Sequence, residues 1–408
     1  MSAGYGRRLG QRLACPRIVS ARPLLLLLLV LAFAAGCGGG DKDPGEDRRQ
    51  PVVGQGGDDE EAGASLGFPG FATKNTTRVG GADPIADAAG VAQAVFTARS
   101  RDTRPASVTL VDSKDWRAAI SAAQLMSRPL RSPILLSDGE DLPDATKSAL
   151  DELGPTGAEK AGNAQVIRVG KTAKPAGART TDLEGADPAA LAQAIDRLHT
   201  AAAGAPSRAV IVAPSSAPEF AMPAAGWAAK AGDPVLWSGR DSLPAATKAV
   251  ITAHRRPRIY VLGPPSVISN DVVKELGELG TTRRIDGAEP VANAIAFARF
   301  TDGRFGWNAV DPGHGFVFAS TTRPADAAAA APLSASGTYG PLLLVTEANA
   351  LPRPLQDYLL DVQPGYDEDP VRGVYNHGWI VGDEKAISVD VQSRIDALLE
   401  IQPVQPES

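Results

Sequence analysis

One pattern occurs three times along the 408 residues, and it confines the chain to an architecture of three similar units. The first copy opens Thr76-Thr77-Arg78-Val79-Gly80-Gly81-Ala82-Asp83-Pro84. The second opens Thr180-Thr181-Asp182-Leu183-Glu184-Gly185-Ala186-Asp187-Pro188, and the third Thr281-Thr282-Arg283-Arg284-Ile285-Asp286-Gly287-Ala288-Glu289-Pro290. The Gly-Ala-acid-Pro core recurs at intervals of 104 and 102 residues. Two further landmarks follow in each copy. The first is a segment Pro133-Ile134-Leu135-Leu136, Pro234-Val235-Leu236-Trp237 or Pro341-Leu342-Leu343-Leu344, trailed by a Leu-Pro pair. The second is a short apolar run ending at Gly170, Gly263 or Gly382.

Proline after an acid suits the first helical position, so Ala-rich helices are predicted from Pro84 to Phe96 and from Pro188 to His199. Continuous apolar runs at Val108–Val111, Val210–Ala213 and Phe316–Ala319 read as strands, as do the Pro-Ile-Leu-Leu segments. Helices are predicted after each Leu-Pro pair, at Asp144–Leu153 and Ala245–Thr252. Short apolar strands alternating with helices predict an α/β fold of tandem repeats, with parallel sheets flanked by helices. Copies two and three end in a further helix. Copy one has only Lys171–Ala178, rich in Pro and Gly, in that place.

The N-terminus is of a different kind. Residues 1–22 carry five arginines, residues 24–35 are apolar, and Leu31-Ala32-Phe33-Ala34-Ala35-Gly36-Cys37 resembles a lipobox. The apolar run is shorter than the roughly 20 residues a spanning helix requires. Residues 1–37 are therefore expected to be a lipoprotein signal peptide, with Cys37 acylated and the chain tethered to the membrane. Residues 38–72 read as a flexible polar linker.

Charge and composition exclude several classes of function. The formal net charge is −6, and without the first 36 residues, 36 basic face 47 acidic residues, a net of −11. Such a surface disfavours nucleic acid. Both cysteines, Cys15 and Cys37, lie in the leader, so the repeats have no thiol chemistry. His199, His254, His314 and His377 are scattered without metal-ligand spacing, and His199, near a helix end, is expected to cap or face solvent. The glycine pairs match no nucleotide loop, and no Gly-x-Ser-x-Gly elbow occurs. No catalytic residue, metal or cofactor is expected.

The opening motif at Arg78–Asp83, the Pro133–Leu136 strand, Leu142-Pro143 and the strand ending at Gly170, with their counterparts, resemble the cell wall-binding repeat type 2 family of Gram-positive surface proteins. The resemblance covers roughly residues 73–400 and reads as an actinobacterial-type surface lipoprotein, with repeats at 73–178, 179–280 and 281–402. It implies a pseudo-threefold arrangement and non-covalent binding of a cell-wall polysaccharide or teichoic-acid-like anionic polymer. By the same resemblance, Pro133, Ile134, Leu135, Leu136, Pro234, Val235, Leu236, Pro341, Leu342, Leu343 and Leu344 are candidate polymer contacts. Buried parallel strands read the same way, so sheet core is the heavier reading for these segments.

An acidic chain needs concentrated arginines to hold an anionic polymer. Candidates near strand ends are Arg78, Arg131, Arg168, Arg240, Arg283 and Arg284. Arg78 is matched in copy three by Arg283 or Arg284 but becomes Asp182 in copy two. Two other functions compete: a solute-binding lipoprotein of a transport system, which three equivalent units fit poorly, and an envelope-processing enzyme.

Overall fold

The computed structural model describes residues 71–336 and 339–404. The signal peptide, Cys37 and the linker up to residue 70 lie outside the described residues. The chain begins with β1 (Phe71–Ala72), β2 (Thr76–Val79) and α1 (Pro84–Val95), followed by β3 (Val108–Asp112), α2 (Trp116–Ala122), β4 (Ile134–Ser137), α3 (Asp144–Leu153), β5 (Val166–Val169) and β6 (Thr180–Leu183). It continues through α4 (Pro188–Ala203), β7 (Ala209–Pro214), α5 (Pro218–Ala221), α6 (Pro223–Ala231), β8 (Val235–Ser238), α7 (Ala245–Ala253), β9 (Arg258–Leu262), α8 (Asn270–Leu279) and β10 (Thr281–Ile285). The last stretch is α9 (Pro290–Arg299), β11 (Gly315–Ser320), α10 (Asp326–Ser334), β12 (Leu342–Val345), α11 (Arg353–Asp361), β13 (Gly365–Tyr366), β14 (His377–Val381), α12 (Val389–Leu399) and β15 (Gln402–Pro403). β13 and β15 form a small parallel pair of their own.

Three parallel sheets share one strand order: β4-β3-β5-β6, β8-β7-β9-β10 and β12-β11-β14-β2, the last extended by the antiparallel β1. In each sheet the fourth strand is the Thr-Thr opener of another copy. Thr180–Leu183 pairs with β5, Thr281–Ile285 with β9, and Thr76–Val79, from the start of the chain, with β14 near its end. Each sheet therefore reaches across the boundary of its sequence repeat. The first opener closes the last sheet, which makes the assembly a ring.

The Gly-Ala-acid-Pro motif has a local cause. Asp83 and Asp187 cap their helices, accepting from the backbone N–H of Ala86 and of Ala190, with Pro84 and Pro188 in the first turn. A side chain at Gly185 or Gly287 would strike the first-turn backbone of α4 or α9 at 2.4 Å. The pairs Leu142-Pro143 and Leu243-Pro244 start α3 and α7 so that Thr146 and Thr247 reach back to the carbonyls of Leu136 and Trp237. Copy one has no helix between β5 and β6, whereas α8 and α12 occupy that place in the other two.

The first helix of each copy covers the Pro-Ile-Leu-Leu strand of its own copy. The other copies' second helices, α2, α6 and α10, pack against those strands and against one another. Alanine dominates these helices, and at one point even alanine is too large. A Cβ on Gly226 of α6 would stand 2.7 Å from Ser334 Oγ and 3.0 Å from Ser334 Cβ on α10. Gly226→Leu is expected to destabilise the ring by about 2 kcal/mol through overpacking. Gly277→Ala, on α8 with nothing within 4 Å, is expected to stabilise by about 0.5–1 kcal/mol. Denaturant melts of the two variants should move in opposite directions.

Candidate functional site

The Pro-Ile-Leu-Leu candidates are core. Pro133, Ile134, Leu135 and Leu136, Pro234, Val235 and Leu236, and Pro341, Leu342, Leu343 and Leu344 are all buried. Their strands, β4, β8 and β12, lie at sheet edges, yet the neighbouring helices cover them. Ser121 of α2 donates its hydroxyl to the Val235 carbonyl (3.1 Å), tying β8 to the copy before it. These side chains have no free surface with which to touch a polymer. An edge strand must be apolar on both faces when helices of two copies close over it.

Several of the arginines are also spent internally. Arg78 is buried, donating to Gln392 Oε1 (2.9 Å) and to the carbonyls of Gly382 and Ile387 (2.7 Å each). Burial lowers its pKa. Arg284 occupies the same place on β10, donating to the carbonyls of Gly263 (2.6 Å) and Ile268 (2.8 Å). Arg284, rather than Arg283, is therefore the counterpart of Arg78. Each clamps the loop between the third sheet strand and the helix after it.

In copy one the guanidinium has moved one strand over. Arg168 on β5 stands in register with Asp182 on β6 and pairs with it at 2.6 Å. It also donates to the carbonyls of Thr172 (2.6 Å) and Ala173 (2.9 Å). The acid at 182 is thus the other half of a rearranged clamp. Arg131, Arg240 and Arg283 remain exposed. Arg131 lies 5.7 Å from the Phe96 ring centroid, Arg240 pairs with Asp241, and Arg283 lies 3.4 Å from Asp302. The structure does not gather the six arginines into one patch.

The helix contacts between copies carry a polar network whose members Gln124 and Asp196 sequence reading did not single out. Where the 3-10 turn after α2 meets the second copy, Gln124 donates to Asp196 (3.2 Å) and to the Gly232 carbonyl (3.0 Å), and Asp196 bonds His254 at 2.9 Å. Burial pushes the His254 pKa down, but Asp196 outweighs this and the net shift is upward. His199, expected to cap its helix or face solvent, is instead buried against Ser127 Oγ (2.8 Å) of copy one. Burial lowers its pKa.

At the ring-closing contact, α1 places Asp87 beside Asp326 of α10, both fully buried. The first-turn positions matching Asp87 hold Leu191 and Asn293 in the other copies. Asp87 accepts from the Gly81 N–H (2.6 Å) and lies 3.6 Å from Arg323, which pairs with Asp383 at 2.7 Å. Burial and then the facing Asp326 carboxyl raise the Asp87 pKa far above the carboxylate range, while burial pushes Asp326 up to about 7. Two facing acceptors need a proton between them. Oδ2 of Asp87 and both oxygens of Asp326 find no donor in the protein.

A cavity of about 740 Å³ opens in copy one, between α3 and the segment Pro175–Arg179. It brings Arg101 and Arg104, neighbours in sequence, together with the distant Lys147 and Arg179. The absence of the closing helix after Gly170 was the only sequence signal for it. No group of three or more His, Cys, Asp or Glu side chains is placed to hold a metal ion among the described residues.

Two tests follow from the clamps and the acid pair. Arg78→Ala leaves two buried carbonyls and Gln392 without their donor and is expected to cost about 3 kcal/mol. Arg131→Ala should stay within about 0.5 kcal/mol in the same denaturant melts. The folded Asp326 carboxyl holds its proton to higher pH than the unfolded chain does. Its contribution to stability is therefore complete below the ordinary carboxylate range and is lost as pH rises through about 7. His254 shifts in the same direction, so a variant comparison is needed to isolate the acid pair. Asp326→Asn should flatten the decline in melting temperature between pH 5 and pH 8 and be the more stable protein at pH 8. A wild-type slope retained in the variant would refute the shared proton.

The profile of the family described as cell wall binding domain 2 (CWB2) matches residues 183–273 and 284–392. No curated protein matches the chain in sequence. The fold is similar to that of Cwp8 from Clostridium difficile, with a TM-score of 0.60 and 17% identity, over 80% of this chain and 52% of that one. It is likewise similar to Cwp6 from Clostridium difficile, with a TM-score of 0.64 and 17% identity, over 80% of this chain and 48% of that one. The chain thus spans about half the length of these two proteins. The two matched segments belong to the cell wall binding domain 2 family, and they lie within three sheets of one strand order.

Proposed function

We propose that this protein is a non-catalytic envelope lipoprotein, held to the membrane through acylated Cys37, whose repeats bind an anionic cell-wall glycopolymer. The match of residues 183–273 and 284–392 to the cell wall binding domain 2 family carries this reading. The leader ending in Ala35-Gly36-Cys37 supports the tether, since two acyl chains give stable anchoring where one is marginal. Contacts to the polymer come from surface cations, because the Pro-Ile-Leu-Leu strands are buried. Among the arginines at strand ends, Arg131, Arg240 and Arg283 keep the exposure this requires.

The full chain carrying Cys37→Ser is expected to co-sediment with purified cell walls and to stay in the supernatant once the glycopolymer has been extracted. Sedimentation with stripped peptidoglycan equal to that with intact walls would overturn the polymer as partner. Tight binding of a small solute without wall affinity would favour the transport reading. In cells fed a labelled fatty acid, the wild type should take up label and Cys37→Ser should not.

A further inference from the structure

The cavity in copy one lies where the last helix of the other two copies has no counterpart. In copies two and three, α8 and α12 follow the third sheet strand and pack against α7 and α11. In copy one, residues 170–179 form no helix, and the corresponding flank of α3 stays open. The exposed space has an apolar floor that includes half-buried Leu150 and buried Val166. At about 740 Å³ it is large enough for a few sugar units.

Its rim is basic. Arg101, Arg104, Lys147 and Arg179 line the opening, against a single acid, Asp151. None of the four forms a salt bridge among the described residues. Arg104 lies across Gly154, and Arg179 against Gly157, so the two guanidiniums bracket the turn 154–157. Each donates from Nε to one carbonyl, that of Ala98 (3.5 Å) or of Asn163 (3.0 Å), and the outer N–H groups remain unspent. Four unpaired cations around a groove, in a chain whose net charge is −6, are placed to meet an anion.

We propose that this groove is a binding site for a segment of anionic sugar chain, with Arg104 and Arg179 pairing with its phosphate or carboxylate groups and sugar faces lying on the apolar floor. The proposal rests on the glycopolymer reading above and locates the contact in the copy that lacks the last helix. Planar guanidiniums suit such groups because two N–H donors can meet two oxygens at once. Binding through them weakens as salt screens the charges.

The test uses the full chain with Cys37→Ser and, as probe, soluble glycopolymer released from purified walls. Arg104→Glu/Arg179→Glu is expected to weaken binding by roughly tenfold or more, which corresponds to about 1.4 kcal/mol per factor of ten. The double Lys variant should fall between it and the wild type. Arg353→Glu/Arg372→Glu changes the net charge equally at exposed sites on copy three and should bind as the wild type does. Thermal melts of all variants should coincide, since the exchanged side chains are exposed. Equal loss in both Glu doubles, or none in either, would overturn the groove while leaving polymer binding intact. A wild type that binds no glycopolymer would overturn both.

Discussion

Everything in this fold depends on strands lent from one copy to another. A four-stranded parallel sheet here contains only three strands of its own, and the fourth arrives with the opening of the next copy. The arrangement would leave the last sheet one strand short if it simply continued along the chain, as in an open array whose terminal repeats need caps. Thr76–Val79 removes that deficit by returning to β14. Arg78 then reaches from this strand to the loop before α12, and Gln392 of α12 donates back to Thr76 (3.0 Å). The two ends of the ring are joined by backbone pairing, by a guanidinium and by the buried acid pair.

The alanine-rich composition follows from the same closure. The lending strand occupies one edge of the first two sheets and is followed only by the two-residue β1 in the third, and the opposite edge is the Pro-Ile-Leu-Leu strand, which would otherwise invite pairing with another chain. It is hidden between its own first helix and helices of other copies, which must approach closely to cover so short a strand. Alanine permits that distance, and at Gly226 a Cβ would already crowd Ser334. Bulk is concentrated elsewhere. Trp227, Phe297 and Trp307 meet where copy two joins copy three, and Tyr260 stacks on Phe305 with ring centroids 3.5 Å apart.

Much of this was legible in the sequence because it rests on local rules. The period of the repeat, the Pro-initiated helices, the apolar strands and the missing helix of copy one all follow from residues adjacent in the chain, and α3 matches its predicted limits at Asp144–Leu153. The Thr-Thr openers were harder to place. Their residues are polar or half-buried, as Thr180–Leu183 is, and lack the apolar signal of a central strand. Which sheet they join depends on pairing across the copies. The arginines show the same limit. A guanidinium near a strand end looks alike in sequence whether it faces solvent or reaches two carbonyls, and only the loop it meets in space decides.

That distinction governs where an anion can bind. A buried guanidinium is stable only when its donors are satisfied, so an arginine committed to loop carbonyls has nothing left for a ligand. Arg78 and Arg284 are committed in this way, and so is Arg168 once Asp182 is counted. The absence of a last helix in copy one bears on both sides of this balance. The clamp passed to Arg168, which holds a short loop in place of a helix start. The open flank of α3 is rimmed by four cations that form no salt bridge among the described residues, against the one acid Asp151. The short connection from β5 to β6 thus keeps a clamp and leaves the groove open.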